Sequence, residues 1–266
     1  MLKVPGVAHI MQLYHCFDFF LFTNMNKDEF FKEQTARSSD FKFTSKVAVV
    51  FDDMVNRSVP YYDEIQRMVA ELTADHATDD TNVYDLGCST GTSMILMDQT
   101  VSANANFVGI DDSPAMLDKC RVKLEDAGFR HDYQLEVADL NGTVPLQNAS
   151  VVVLCLTLQF VRPINRASLV KQIFDGVNKG GVVIIVEKIL AEDSSFNRDF
   201  INYYYEMKRR HHYSEMEISQ KREALENVLI PYKVSENIAL FRNAGFEHCE
   251  VFFKWYNFAG IIAKKF

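Results

Sequence analysis

A chain of 266 residues, 48% of them hydrophobic, is long enough to bury one large core, and its formal charge of −8 argues against a protein that grips long nucleic acid through the phosphates. Its five scattered cysteines (Cys16, Cys88, Cys120, Cys155, Cys249) form no Cys-x-x-Cys pair and adjoin no histidine ligand set, which points to a reducing, cytoplasmic compartment and no structural metal. Residues 1–24 are apolar but broken by Pro5, His9, His15 and Asp18, far short of the roughly 20 apolar residues that cross a bilayer. With neither a basic start nor a small-residue cleavage site, they read as an extension ahead of Met25 or as a membrane or partner contact. From Asn26 to Asp53 the chain passes from polar to apolar, ending in the run Val47–Phe51. Pro60 then disfavours helix at Val59. A helix is expected from about Tyr61, with Tyr62, Ile65, Met68, Val69 and Leu72 on one stripe. Most of that stripe is core, but Tyr62, at the helix start, is positioned to close over a ligand.

The stretch Asn82–Gly91 is the centre of the pattern: a short buried strand, Val83–Leu86, a turn holding Gly87 and Gly91, and a helix over Thr92–Thr100. Strand, glycine turn and helix open a nucleotide-type α/β fold, in which ligands sit beyond the carboxyl ends of the strands. Gly87 allows a backbone conformation or a close approach that a Cβ forbids, and Gly91 lets the helix start pack tightly. The second strand, Asn106–Ile110, ends in Asp111-Asp112, about 20 residues past the glycines, where an acid can accept from ribose hydroxyls. Ser113 as N-cap and Pro114 at the first position open the next helix. Dinucleotides and S-adenosylmethionine (SAM) are both held by this layout. The turn here is Gly-Cys-Ser-Thr-Gly rather than Gly-x-Gly-x-x-Gly, which disfavours a pyrophosphate and resembles the first motif of class I SAM enzymes.

Met116, Leu117, Cys120 and Leu124 recur at helical spacing up to Gly128. Tyr133–Val137 reads as the third strand, closing on Asp139, which can accept from an adenine amino group. Ser150–Leu156 is an unbroken apolar strand of the kind parallel sheets bury on both faces. A helix carrying Leu169, Val170, Ile173, Phe174 and Val177 leads through Gly180-Gly181 into the fifth strand, Val182–Val186. Residues 191–230 break the alternation with a helical stretch that reads as too polar for core. It holds Tyr203–Tyr205, the basic run Lys208–Arg210, expected as a solvated face, and His211-His212, expected as a solvated helix end. This insert covers the site or builds a dimer; within it Arg222 has the fork geometry to hold a carboxylate. Val234–Ala244, capped by Gly245, is the last helix, and Cys249–Phe253 with Gly260–Lys264 the closing strand pair. With no repeat or linker, residues 25–266 read as one domain with an insert at about 191–230.

Several blocks carry a more specific resemblance: Asn56-Arg57-Ser58-Val59-Pro60-x-Tyr62, Asp85-Leu86-Gly87-Cys88-Ser89-x-Gly91, Asp111-x-Ser113-Pro114-Ala115-Met116, Thr157-Leu158-Gln159-Phe160 and, above all, Tyr213-Ser214-Glu215-x-Glu217-Ile218-Ser219-Gln220-Lys221-Arg222. From about Met25 onward the sequence is similar to the carboxy-S-adenosyl-L-methionine synthase family, a branch of the class I SAM methyltransferase fold. That resemblance implies a Rossmann-like, mostly parallel seven-stranded sheet with a helical insert before the last helix. It also implies the reaction: prephenate gives up a carboxyl group to the SAM methyl carbon, yielding carboxy-SAM and phenylpyruvate. A sulfonium acidifies its methyl protons, and a closed, dry site can hold the resulting ylide until it captures carbon dioxide. A second, tRNA-modifying enzyme then uses the product on the wobble uridine.

By position, the family's cofactor contacts fall on Tyr62, Gly87, Cys88, Ser89, Asp111, Asp112, Asp139, Leu140 and Cys155. Its carboxylate-binding arginine, contributed across a homodimer, falls on Arg222. The low net basicity suits an enzyme that acts on a small molecule and binds neither nucleic acid nor membrane itself. The chain departs from the family pattern at four places: Cys155 and Asp112 stand where Asn is usual, Tyr61 where Gly is usual, and His211-His212 where Asn-Gly is usual. The same residues support two other readings. One is a SAM-dependent methyltransferase on a small or tRNA acceptor; the other is a SAM-binding protein without catalysis, to which the substituted Cys155 lends its support. No side chain is singled out as a general base.

Overall fold

The computed structural model describes Asp28 and residues 43–266; the extension read over residues 1–24 lies outside the described residues. Asn82–Leu86 (β1) lies at the middle of a sheet, with Val83, Tyr84 and Leu86 buried and Asp85 buried among them. Asn106–Asp111 (β2), Tyr133–Val137 (β3), Ala149–Cys155 (β4) and Val177–Leu190 (β5) run parallel with it. The hairpin His248–Trp255 (β7) and Phe258–Lys264 (β8) completes the order β3-β2-β1-β4-β5-β8-β7, with β8 antiparallel to β5. A two-residue strand, Tyr232–Lys233 (β6), pairs with the end of β5 and adds an eighth strand to the seven expected.

Alternation along the strands divides the core in two. Val83, Phe107, Val151, Val153, Val182 and Ile184 pack with Tyr62–His76 (α2), Thr92–Thr100 (α3) and Pro114–Asp126 (α4). Leu86, Ile110, Val152, Leu154, Val183 and Ile185 pack on the opposite face with Pro163–Gly176 (α5) and Val234–Ala244 (α8). Both faces are therefore covered, the doubly wound arrangement expected from the alternation of elements. From β1 the chain builds β2 and β3 on one side and then crosses over to β4 on the other. The crevice beyond the carboxyl ends of β1 and β4 is thus the topological switch point at which such sheets bind ligands.

Local signals in the sequence are met at several ends. Ser113 Oγ accepts from Met116 N at 3.3 Å with Pro114 behind it, and Gly245 closes α8 at φ +119°. Two expectations are corrected, and one helix is added. Val177 begins β5 rather than ending α5, so that strand runs from Val177 to Leu190 rather than from Val182 to Val186. The run Val47–Phe51 belongs to a helix, Ser45–Ser58 (α1), whose buried Val47, Ala48, Met54, Val55 and Ser58 recur at helical spacing. The stretch over 191–230 is not too polar for core: its helices Ser194–Arg210 (α6) and Glu215–Leu225 (α7) bury Tyr204, Met207, Lys208, Ile218, Lys221 and Ala224. Lys208, expected on a solvated face, is 5% exposed.

Candidate functional site

Beyond the carboxyl ends of β1–β5, under α1, α6 and α7, lies a cavity of about 370 Å³. Its first wall is made where the strands stop. Gly87 sits at φ +77°, and a Cβ there overlaps the Thr157 hydroxyl; Gly91 sits at φ +82°, and a Cβ there lies 2.6 Å from Cys120 Sγ. Conformation and close packing thus both demand glycine at these two positions. Between them Ser89 takes φ +51°, which turns its amide onto Asp111 Oδ2 at 3.0 Å, while Ser113 N donates to Asp111 Oδ1 at 2.9 Å. Burial raises the Asp111 carboxyl to about 6 against these two amides. Directly behind the turn, burial and then the charge of Asp111 raise Asp85 to about 7, and no described residue donates to its Oδ2. Asp112 and Asp139 stand at the exposed rim; burial first, then Asp139, raises Asp112. Asp139 Oδ1 accepts from Asn141 N at 2.8 Å, which shapes the loop after β3.

α1 is clamped to this turn. Thr90 Oγ1 donates to Asp52 Oδ1 at 2.6 Å and Lys123 Nζ to Asp52 Oδ2 at 3.0 Å. Burial works to raise the Asp52 carboxyl, but Lys123, Thr90 and Lys119 outweigh it and hold it below its ordinary value. On the floor, Gln66 Nε2 donates to Cys155 Sγ at 3.5 Å. Burial, then the charges of Asp85 and Glu187, push that thiol far up, so Cys155 is a neutral sulfur and not a nucleophile. Burial does the same to the Tyr62 phenol.

The second wall comes from β5, α6 and α7, and two of the family-like blocks build it together. Arg57 donates through Nε to His211 O at 3.0 Å and through Nη2 to His212 O at 3.2 Å, and its guanidinium stacks 4.1 Å above the Tyr213 ring. Ser58 Oγ lies 3.1 Å from Tyr213 OH and accepts from Lys221 Nζ at 2.8 Å. The Asn-Arg-Ser-Val-Pro block of α1 thus pins the α6–α7 corner. His211 and His212 serve that corner through their carbonyls, His211 also through Nδ1 at 3.0 Å from Arg57 O, and among the described residues no cluster of three or more His, Cys, Asp or Glu side chains is arranged to hold a metal. The same wall presents Lys188, Lys208 and Lys221 to the cavity. Their role was not anticipated, because the corner that carries Lys208 and Lys221 is held by α1, with Ser58 and Lys221 163 positions apart.

All ten anticipated site residues line this one cavity: Tyr62, Gly87, Cys88, Ser89, Asp111, Asp112, Asp139, Leu140, Cys155 and Arg222. Arg222, exposed on α7, lines the cavity of its own chain. Residues 83–181 match the model of a methyltransferase domain. A putative O-methyltransferase from Nostoc punctiforme shares the fold at a TM-score of 0.60 and 17% identity, over 83% of this chain and 59% of that one. The chain is 51% identical over 242 residues to the carboxy-S-adenosyl-L-methionine synthase of Methylococcus capsulatus, covering 91% of this chain and all of that one. It is 46% identical to the synthase of Sulfurimonas denitrificans, over 86% of this chain and 97% of that one. The chain belongs to the carboxy-S-adenosyl-L-methionine synthase family.

The family's SAM fits what the first wall offers. SAM carries positive charge on its sulfonium and amino groups and donates from its ribose hydroxyls, and this wall lines the cavity with the carboxyls of Asp111, Asp112 and Asp139, with Asp85 buried behind the turn. Two departures from the family pattern also gain a physical meaning. Tyr61 and His212, where that pattern has glycine, sit at φ +52° and +64°, a conformation that costs an L-residue about 1–2 kcal/mol.

Proposed function

We propose that this chain is a carboxy-SAM synthase, converting SAM and prephenate into carboxy-SAM, phenylpyruvate and water, the ring hydroxyl of prephenate leaving with a proton of the SAM methyl group. What carries the reading is family membership together with the meeting of all ten expected site residues in a single cavity. SAM supplies an acidified methyl group as the carbon that accepts the carboxyl. The chain's part is to bind, orient and keep dry. Asp111 and Asp112 take the ribose hydroxyls, Asp139 and the Leu140 segment the adenine, and Gly87, Cys88 and Ser89 the nucleoside and amino-acid parts. Tyr62 closes over the sulfonium, with Cys155 beneath. Arg222 holds the carboxylate of the transferred group by charge-assisted hydrogen bonds, reaching across a homodimer as the family resemblance implies. The full setting of the proposal is a cytoplasmic enzyme whose product passes to a tRNA-modifying partner, with residues 25–266 as the working domain. Among the described residues no helix is long and apolar enough to cross a membrane.

Mass spectrometry of the nucleoside formed from SAM and prephenate tests this. The expected product is heavier than SAM by one carbon dioxide and is lost in Arg222→Ala. Cys155, in place of the usual asparagine, favours a SAM-binding protein without catalysis, and the remaining reading is an ordinary methyltransferase. S-adenosylhomocysteine as the sole product would decide for it.

A further inference from the structure

Lys188 lies near the end of β5, Lys208 in the last turn of α6 and Lys221 on α7, and all three line the cavity. Lys208 and Lys221 are each 5% exposed. The three ammonium groups are interleaved with two rings. Lys188 Nζ and Lys208 Nζ each lie 4.9 Å from the centre of Tyr204, and Lys208 Nζ and Lys221 Nζ lie 5.7 Å and 5.3 Å from that of Tyr213. Among the described residues no carboxylate comes within ion-pair distance of any of the three, and neither Lys188 Nζ nor Lys208 Nζ makes a hydrogen bond.

The nearby acids are committed to other partners. Asp28 Oδ2 accepts from Tyr213 OH at 3.0 Å, Asp53 pairs with Arg57 at 3.4 Å, and Glu217 closes the Ser214 capping box. Three buried like charges with no carboxylate at ion-pair distance among the described residues repel one another and lose hydration, which Asp28 offsets only in part for Lys208 and Lys221, and an anion entering the cavity relieves this. Burial lowers Lys188 and Lys221 to about 8, and burial with the charges of Lys221 and Lys188 lowers Lys208 well below its ordinary value. The opposite wall, with its carboxyls, repels an anion, so the cavity sorts charge along its length.

We infer that Lys188, Lys208 and Lys221 form the subsite for the carboxylate that the second substrate keeps: the 2-oxo-acid carboxylate of a dicarboxylate whose other carboxyl is transferred. The Tyr204 ring between the lysines offers a flat apolar surface for the substrate's six-membered ring. This rests on the synthase reading for the substrate's identity, but the site itself is read from the chain alone. It separates two tasks: Arg222 serves the moving carboxyl, the lysines the stationary one.

Lys208→Met is the variant of choice, because it removes a buried charge and keeps the side-chain length; its melting temperature is expected at or above wild type. At saturating SAM, the KM for prephenate is expected to rise about ten- to hundredfold, the scale of a lost charge-assisted hydrogen bond, with the Kd for SAM unchanged. Phenylpyruvate, the product that retains this carboxylate, is the direct probe: calorimetric binding to wild type should fall by a similar factor in Lys208→Met and Lys188→Met and recover in part in Lys208→Arg. If wild type makes carboxy-SAM but both Met variants bind phenylpyruvate as tightly as it does, the lysine subsite is wrong and the synthase reading stands. If wild type makes no carboxy-SAM yet loses phenylpyruvate binding on Lys208→Met, the subsite stands and the synthase reading falls.

Discussion

The wall at the ends of β1–β3 lines the cavity with Asp111, Asp112 and Asp139, and burial raises Asp111 to about 6. The wall from β5, α6 and α7 presents ammonium groups, and burial lowers Lys188 and Lys221 to about 8. In both places desolvation works against the charge, so each wall is poised for a ligand of the opposite sign. The two are also made differently. The acidic wall rests on local geometry: a glycine turn, a strand end and a helix cap. The cationic wall rests on long-range ties, with Arg57 and Ser58 of α1 holding residues 211–221 in place.

That contrast gives the largest predicted effect. Gly87→Ala introduces both a strained φ of +77° and an overlap with Thr157, so unfolding by urea should show a loss of about 2–5 kcal/mol. Removing the overlap in the double variant with Thr157→Ala should restore part of it. A change of the same type on the cationic wall, Lys208→Met, should not destabilise the fold. Next in size, Asp111→Asn should weaken SAM binding about ten- to hundredfold in calorimetry, since this carboxylate is held by two backbone amides to face the ligand.

A third prediction uses both walls at once. Asp85, Asp111 and Glu187 have folded values raised to about 7, 6 and 8, so the stability they contribute is present below pH 4 and is lost as pH rises through those values. Lys188 and Lys221, lowered to about 8, act in the other direction: from about pH 8 to 10 the unfolded chain holds protons that the folded one has released, and stability rises. Thermal melts of the ligand-free protein should therefore pass through a minimum near pH 7–8. Asp85→Asn should flatten the acid limb, and Lys188→Met the alkaline one. The smallest effects belong to the two positive-φ departures: Tyr61→Gly and His212→Gly should each raise stability by about 0.5–1 kcal/mol, relief of the backbone being partly offset by the freer unfolded chain.

The acidic wall could be read from the sequence because each of its acids comes directly after a strand within a short motif: Asp111 after Asn106–Ile110, Asp139 after Tyr133–Val137. The same local logic located the glycine turn, Ser113, Pro114 and Gly245. The cationic wall could not be read in this way. Lys208 sits in a basic run, and only the fold shows that it turns inward while Arg209 and Arg210 face solvent. α1 is hidden in the sequence because its buried stripe begins inside an apolar run with no cap signal; Thr44, before it, makes no side-chain capping bond. Arg222 stands out for its guanidinium, and Tyr62 for its place before the first strand; both are properties of single residues that survive without the fold.

The most direct test of a cavity with two opposite ends is a crossed titration, SAM and phenylpyruvate each into wild type, Asp111→Asn and Lys208→Met. Asp111→Asn is expected to lose SAM affinity and keep phenylpyruvate, and Lys208→Met to lose phenylpyruvate and keep SAM. Equal losses of both ligands in either variant, with the fold intact by melting, would contradict the division of the cavity into an acidic and a cationic end.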